Sequence, residues 1–301
     1  MRNCAGARLD LLLGVREGMS GWIGWFRDID GVTRRLRWQG QWTEQYAGPE
    51  EPADLYVRTL AHVDGEAFAA AGRRVQHACH GDATDGEVLM QVRCLTDTIE
   101  IACRGTEILA VYRVAGSGRA GETDVEIPLR SDGFARLPAL VGPMQMSLAR
   151  TDHGASALVL DADPDAEESV WCSIPIQDVR PFYWTVRLDA EGGVHGAVDR
   201  WALHSLLGTD ASRITLAMVP GRLIVRTDGG VLGTLETQEA GSPGTTTVNG
   251  AALRRGLEAL PDDVMTVSVG LTPEEQTTDV VITDPARMSW VKILPSGWSF
   301  Q

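Results

Sequence analysis

Residues 245–270 read TTTVNGAALRRGLEALPDDVMTVSVG. The β-branched run TTTV favours a strand, and Asn249 is a good N-terminal cap for the helix that the apolar spacing of GAALRRGLEAL predicts. The alternating run VMTVSVG is typical of a strand with one buried face, and two further strand-like runs follow, TDVVITD and MSWVKIL. The stretch therefore predicts a strand, a capped helix and three more strands, an order that we call the module.

The module occurs three more times along the chain. Residues 125–176 contain VEIPL, then GFARLPALV, which predicts a short helix, and then the strand-like runs MQMSLAR, ALVLDA and SVWCSIPI. Fainter copies begin near Val57, with Asp64 as the predicted helix cap, and near Thr185. A unit of about 55 to 65 residues in tandem is usually one supersecondary element stacked on itself. Alternating apolar and polar residues in the strands predict antiparallel sheets, so the expected class is α+β.

The first 55 residues do not contain the module. A short helix is predicted over residues 9–18, and a hairpin over residues 21–42, because Asp30 and Gly31 form a strong two-residue turn signal. The run AGPEEPAD marks a linker after the hairpin. The predicted domains are therefore residues 1–55, 56–180 and 181–301, the last two with two modules each.

Aromatic and basic residues interleave in the predicted hairpin. They are Trp22, Trp25, Trp38 and Trp42 with Arg27, Arg34, Arg35 and Arg37. Such a pairing can stack on bases or bind a partner protein. Alternating tryptophans on a hairpin can also form a small core against a neighbouring domain, so both interpretations stay open.

Net charge and cysteine content limit the partners and the cellular location that we expect for this protein. The net charge is −14 over 301 residues, and Lys292 is the only lysine. An acidic protein repels nucleic acid on average, so contact with DNA would need arginines concentrated on one surface. Five cysteines, an odd number in a chain of this size, favour reduced thiols and a cytoplasmic location. No apolar stretch is long enough to span a membrane, and no membrane partner is expected.

Enzymatic motifs are absent from the sequence. It contains no GxSxG, no Walker loop and no HExxH, so we expect neither an enzyme nor a cofactor. A metal site is conceivable near His77, Cys79 and His80, with Cys94 and Cys103 on nearby predicted strands. This crowded arrangement lacks the paired spacing of structural zinc sites, so we expect no metal.

Three stretches carry a resemblance to a known family. They read TVNGAALRRGLEALPDDVMTVSVG, VKILPSGW near the end of the chain, and IEIACRGTEILAVYRV in the first module. In these stretches the chain resembles the ring-forming DNA sliding clamps of the bacterial DNA polymerase III beta type, over residues 56–301. The resemblance implies a DNA-clamp fold with two complete clamp domains and an N-terminal remnant.

The same resemblance implies a function. A sliding clamp is a processivity factor that encircles DNA as a ring and tethers replication or repair proteins. The family subunit has three double modules, whereas this chain has two and a remnant, so the resemblance implies a homo-oligomer that closes as a trimer, or a dimer. The alternative is a clamp-fold adaptor or clamp inhibitor that does not encircle DNA.

A clamp that slides must hold double-stranded DNA by its phosphates without reading bases. Cationic side chains are therefore expected on the predicted helices. These helices carry Arg73, Arg74, Arg136, Arg200, Arg254 and Arg255. The alternative is that these arginines lie on ordinary solvated helix faces.

The family also binds peptides of polymerases and repair proteins in a hydrophobic cleft. The resemblance places this cleft at Gly105, Thr106, Leu109, Ile293, Leu294 and Pro295, and position alone adds Leu206, Leu207 and Trp298. All of these can equally be packing residues at strand ends. The family's His-Arg pair after Gly105 is replaced here by Thr106 and Glu107, and its terminal methionines are absent, which alters the charge at the rim.

Overall fold

The structure is a computed structural model that describes eighteen segments of the chain. They are residues 11–18, 21–27, 33–38, 55–80, 88–118, 125–130, 132–137, 139–151, 156–163, 168–177, 179–182, 184, 194–208, 212–240, 244–261, 264–271, 278–285 and 289–299. Every strand pair whose register is described is antiparallel. In two of these pairs, Val280 lies opposite Ile293 and Leu216 lies opposite Val225. The α+β class with mostly antiparallel sheets is therefore confirmed.

The element order follows the module four times. The first copy is β4 (Leu55–Asp64), α1 (Gly65–His80), β5 (Leu89–Cys94), β6 (Thr98–Arg104) and β7 (Ile108–Gly118). The second is β8 (Val125–Leu129), a 3₁₀ turn (Phe134–Arg136), β9 (Pro143–Thr151), β10 (Ser156–Asp161) and β11 (Glu168–Pro175). The third is β12 (Val194–Asp199), α2 (Arg200–Leu206), β13 (Arg213–Val219), β14 (Arg222–Thr227) and β15 (Gly230–Glu236), followed by β16 (Gln238–Ala240). The fourth is β17 (Gly244–Asn249), α3 (Gly250–Ala259), β18 (Val264–Leu271), β19 (Thr278–Thr283) and β20 (Ser289–Ile293).

Each α-helix begins at a capping side chain. Asp64, Asp199 and Asn249 accept hydrogen bonds from main-chain N–H groups two or three residues further on, at 2.6 to 3.3 Å. Such a cap contributes about 1 kcal/mol to helix stability because it satisfies donors that have no partner within the helix. The caps predicted at Asp64 and Asn249 are thus confirmed.

The helix predicted over residues 9–18 is wrong, because this segment is a strand. β1 (Leu11–Gly18) pairs along its length with β2 (Gly21–Arg27), which in turn pairs with β3 (Thr33–Trp38). The run LLLGVREG is too short to hold a helix by itself, whereas the neighbouring strand satisfies its main-chain groups. The predicted hairpin is confirmed in the pairing of β2 with β3, while Asp30, Gly31, Trp42 and the linker lie outside the described residues.

The second module has no α-helix where one was predicted. Only a 3₁₀ turn forms, at Phe134–Arg136, and Leu137 is already extended at φ −65° and ψ 135°. Pro138 explains this end, because a proline removes an N–H donor and disfavours helical geometry at the preceding residue. The described helices therefore number three, and not four.

The chain forms two compact units. The first comprises Met1–Ala70, Val92–Ile99 and Val114–Arg180. Its strands follow the order β1-β2-β3-β11-β10-β9-β4, and the end of β7 pairs with β4. Phe68 of α1 packs against Phe134 with ring centroids 5.3 Å apart, in a core that includes Leu60 and Met146.

The second unit comprises Ala71–Gln91, Glu100–Arg113 and Pro181–Gln301. One of its sheets contains the start of β7 followed by β20, β19, β18, β12 and β16, and the other has the order β15-β14-β13-β17. Helix α3 lies close to β20, since a Cβ on Gly256 would stand 3.1 Å from Val291. This unit holds the end of α1 and all of α2 and α3. The predicted domain boundaries at residues 55 and 180 stay predictions.

Among the described residues, no helix is both long and apolar enough to cross a membrane.

Candidate functional site

Four of the predicted arginines lie on α1 and α3 of the second unit, and we call them the helix arginines: Arg73, Arg74, Arg254 and Arg255. Arg73 is exposed and the other three are partly buried. The pairs read RRVQH in α1 and RRGLE in α3, but they lie at different distances from the helix starts at Gly65 and Gly250. Each pair is visible in the sequence as two adjacent arginines within a predicted helix.

Neighbouring groups hold two of the helix arginines in place. Arg74 donates from Nη1 to the hydroxyl of Tyr112 at 3.1 Å, and its guanidinium carbon lies 5.7 Å from the centre of that ring. Arg255 donates from Nε to the carbonyl oxygen of Ala78 at 3.1 Å, near the end of α1. A cation near a helix C-terminus is favoured by the helix dipole. The bond therefore ties α3 to α1.

The other two predicted arginines are placed differently. Arg200 is only 8% exposed, donates to the carbonyl oxygen of Leu260, and lies 4.4 Å from the ring centre of Trp201. This burial speaks against a DNA-facing role for Arg200. Arg136 lies in the 3₁₀ turn of the first unit, and its side chain is outside the described residues.

A cluster of three side chains lies on the same helices, and sequence reasoning missed it. His77 of α1 and His204 of α2 each place Nε2 3.0 Å from a carboxylate oxygen of Glu258 on α3. Partial burial would raise the pKa of the Glu258 carboxyl, but the hydrogen bonds and charges of the two histidines together lower it. We call these three residues the His–Glu–His junction. The only sequence signal for it is that His77 and Glu258 follow the two arginine pairs at equal spacing.

Most of the predicted cleft residues come together in the second unit. Ile293 on β20 pairs with Ile108, and the N–H of Leu294 donates to the carbonyl oxygen of Glu107 at 2.9 Å. Glu107 lies in the turn between β6 and β7, which Gly105 closes by donating to Ile108 at 2.8 Å. The segments that contain Gly105, Thr106, Leu109, Ile293, Leu294 and Pro295 are therefore adjacent.

The chain then continues along β17. Pro295 forms a bridge with Val248, and Ser296 donates from its N–H to the carbonyl oxygen of Thr247 at 2.8 Å. Trp298, which donates from its N–H to Pro295, is 56% exposed. This anchored segment presents a large aromatic side chain to solvent next to Pro295. We call Gly105, Thr106, Leu109, Ile293, Leu294, Pro295 and Trp298 the candidate cleft.

Two cleft residues predicted from position alone lie on or just after α2. Leu206 packs against β15, where a Cβ on Gly233 would stand 2.6 Å from it. Leu207 is buried, at 1% exposure. Leu206 and Leu207 thus pack against β15 and the core, and we do not include these two leucines in the candidate cleft.

Large apolar side chains are exposed on α2 and β15. Trp201 is 54%, Val231 60% and Leu232 40% exposed. β15 is the edge strand of its four-stranded sheet, so one side of its backbone has no strand partner within the described sheet. Exposed edge strands with apolar side chains are templates for pairing with another chain. We call these three residues the exposed apolar edge, which the sequence pattern of β15 did not reveal.

The cysteines and histidines do not form a described metal site. The described part of the chain contains no group of three ligands arranged to hold a metal ion. Cys79 donates from Sγ to the carbonyl oxygen of Cys103 at 3.0 Å, and burial raises the pKa of the Cys103 thiol. Burial also raises the pKa of Cys94 to about 12. Buried thiols of this kind are unreactive and serve packing.

Comparison of the sequence with protein-family models and with curated proteins gives no match. Solved structures, in contrast, match over most of the chain. The DNA polymerase sliding clamp of Pseudomonas aeruginosa matches with a TM-score of 0.58 at 12% identity, over 98% of this chain and 79% of that one. The Helicobacter pylori beta clamp bound to a DNA ligase peptide matches with a TM-score of 0.57 at 12% identity, over 91% and 76% of the two chains.

A PCNA complex also matches. The PCNA2–PCNA3 complex of Sulfolobus tokodaii gives a TM-score of 0.52 at 13% identity, over 79% of this chain and 99% of that one. Likeness at such low identity is a likeness of fold. The chain therefore has the DNA-clamp fold, the fold of a non-enzymatic family, and resembles in structure the beta clamps of bacterial DNA polymerase III.

Proposed function

We propose that this protein acts as a sliding clamp, which encircles double-stranded DNA as an oligomeric ring and tethers replication or repair proteins. The observation that carries the proposal is the clamp fold over more than nine tenths of the chain, at a TM-score of 0.58 with the Pseudomonas aeruginosa clamp. The helix arginines, the exposed apolar edge and the candidate cleft supply the three surfaces that this function needs.

The helix arginines support contact with DNA phosphates. A protein of net charge −14 repels DNA on average, so local cationic groups must provide the attraction. Guanidinium groups bind phosphate oxygens with two parallel hydrogen bonds and do not read base sequence when they contact the backbone. A ring needs only modest affinity, because topological linkage keeps it on the DNA.

The exposed apolar edge supports assembly with a second copy of this chain. A subunit with fewer modules than the family's three double units must close a ring with more copies, and each closure needs an interface. Within the described sheet, β15 offers an unpaired backbone edge together with Val231 and Leu232. Burial of such side chains favours association by about 25 cal/mol for each Å² of apolar surface. A trimer or a dimer is therefore proposed.

The candidate cleft supports peptide binding. The Helicobacter pylori beta clamp was solved with a DNA ligase peptide, and we infer that polymerases or repair proteins with clamp-binding peptides are the partners here. An exposed tryptophan beside buried apolar residues is a common anchor in such interfaces. Glu107, where the family has arginine, gives the rim an acidic side chain in place of a basic one.

The expected effect of Trp298→Ala is a loss of peptide affinity of about tenfold, since truncation of an aromatic anchor typically costs more than 1 kcal/mol. Fluorescence anisotropy with a labelled clamp-binding peptide of DNA ligase measures it. Trp201→Ala is the matched control, because Trp201 is similarly exposed, at 54%, but lies on α2. Equal affinity of the Trp298→Ala variant and the unmodified protein would remove Trp298 from the cleft.

The alternative function is that of an adaptor or clamp inhibitor with the clamp fold, which does not encircle DNA. The buried Arg200 favours it, because one of the predicted DNA-facing cations is thereby lost. Retention on DNA separates the two functions. A topologically linked ring stays on closed circular DNA and is lost after the circle is cut once, whereas an adaptor is retained on neither form.

A further inference from the structure

The His–Glu–His junction joins three helices through one carboxylate. His77 lies 3.0 Å from Oε2 of Glu258 and His204 lies 3.0 Å from Oε1, so each histidine holds a different oxygen. His77 is separated from Glu258 by 181 residues and His204 by 54. The contacts therefore fix the ends of α1 and α2 to α3.

The junction contains the one acidic side chain on α2 and α3. α2 reads RWALHSL and α3 reads GAALRRGLEA, which contain Glu258 and no other acid. A carboxylate close to the helix arginines repels DNA phosphates, unless nearby cations offset its charge. The histidines hydrogen-bond both of its oxygens and offset its charge when they carry a proton.

The cationic groups around the junction have other contacts. On α1, Arg74 bonds to Tyr112, and on α3, Arg255 bonds to Ala78. On α2, Arg200 is buried against Leu260 and Trp201, and the Trp201 ring lies 5.9 Å from that of His204. The other charged side chains of the three helices are Arg73, Arg254 and Glu66, which lies in the first turn of α1. Within the described residues, the hydrogen bonds to the Glu258 carboxylate come from His77 and His204.

We propose that the His–Glu–His junction positions the three helices and sets the charge of their DNA-facing surface by proton uptake. With both imidazoles neutral its net charge is −1, and with both protonated it is +1. Histidine is the side chain that changes charge between pH 5 and 8. This inference rests on the proposed function, because it assumes that the helix arginines face DNA.

Glu258 itself stays charged over this range. Its pKa is lowered in the folded protein, so its contribution to stability is present above the ordinary range of glutamate and is lost only as the pH falls through the lowered pKa. Between pH 5 and 8 the carboxylate therefore accepts both hydrogen bonds. The helix contacts then stay in place whether the imidazoles are neutral or protonated.

The test compares the full chain with His77→Gln/His204→Gln, which keeps amide donors but cannot titrate. Affinity for a labelled DNA duplex is measured at pH 6 and pH 8 over a range of salt concentrations. Two added cations should steepen the slope of log affinity against log salt by up to about 1.8 at pH 6, since each neutralised phosphate contributes about 0.9. The glutamine variant should show the same slope at both pH values. His62→Gln is the control, because His62 is exposed on β4 of the first unit.

A pH-dependent slope that persists in His77→Gln/His204→Gln would overturn the proposal. A second measurement does not depend on DNA: a double-mutant cycle between Glu258→Gln and the histidine pair, read by urea unfolding. The coupling should be larger at pH 6 than at pH 8, and zero coupling at both would overturn the junction itself. If the coupling has the expected pH dependence but the protein binds no DNA at either pH, the proposed function fails and the helix-positioning role stands.

Discussion

Replacement of all four helix arginines by glutamate is expected to abolish retention of the protein on closed circular DNA. The change alters the charge of α1 and α3 by eight units and turns attraction for phosphates into repulsion. Loss of four phosphate contacts alone would lower the salt slope by about 3.6. We therefore expect a loss of at least about 100-fold in the amount retained at physiological salt.

Retention is measured by gel filtration of the protein with a closed circular plasmid. The control reverses Arg213, Arg222 and Arg226, which are exposed on β13 and β14. A third variant, Arg74→Gln with Arg255→Gln, tests the effect of the two structural hydrogen bonds. Full retention by the four-glutamate variant would contradict the DNA-facing assignment. Equal loss in the control would assign the effect to net charge and not to the helices.

The second large effect is expected at the exposed apolar edge. Val231→Asp together with Leu232→Asp should convert the oligomer to a monomer, because an unpaired charge buried in an interface costs several kcal/mol. Light scattering across the micromolar range measures the mass, for which the chain alone is 32.5 kDa. Val141→Asp is the control, since Val141 is 79% exposed but belongs to the first unit.

The same variant separates the two proposed functions. A monomeric form should lose retention on circular DNA but keep its affinity for the peptide, since the candidate cleft lies within the second unit. If the unmodified chain is already a monomer at every concentration, the closed ring is excluded and the adaptor function is favoured. If the aspartate variant remains oligomeric, the interface lies elsewhere.

Local patterns predicted most of the modules correctly. Asp64 and Asn249 cap their helices as expected, because capping depends on residues two or three positions away. Two elements were mispredicted because the sequence pattern left out a competing interaction. The segment that became β1 is paired with β2, and the expected helix of the second module ends before Pro138.

The sequence likewise predicted some features of the candidate site and missed those that depend on contacts between distant residues. The arginine pairs of α1 and α3 are visible in the sequence because each is two adjacent arginines within a predicted helix. The burial of Arg200 was not predictable, since it depends on the carbonyl of Leu260, 60 residues away. The exposure of Val231 and Leu232 depends on β15 being an edge strand, which the order of strands decides.

By itself, the sequence determined the repeated module, the α+β class and the arginine pairs, because periodicity, capping and spacing act within a few residues. Only the tertiary structure decided which arginines reach solvent and which strand lies at an edge. It also brought His77, His204 and Glu258 together. These features are contacts between residues far apart in the chain, and they exist only once packing has brought the modules together.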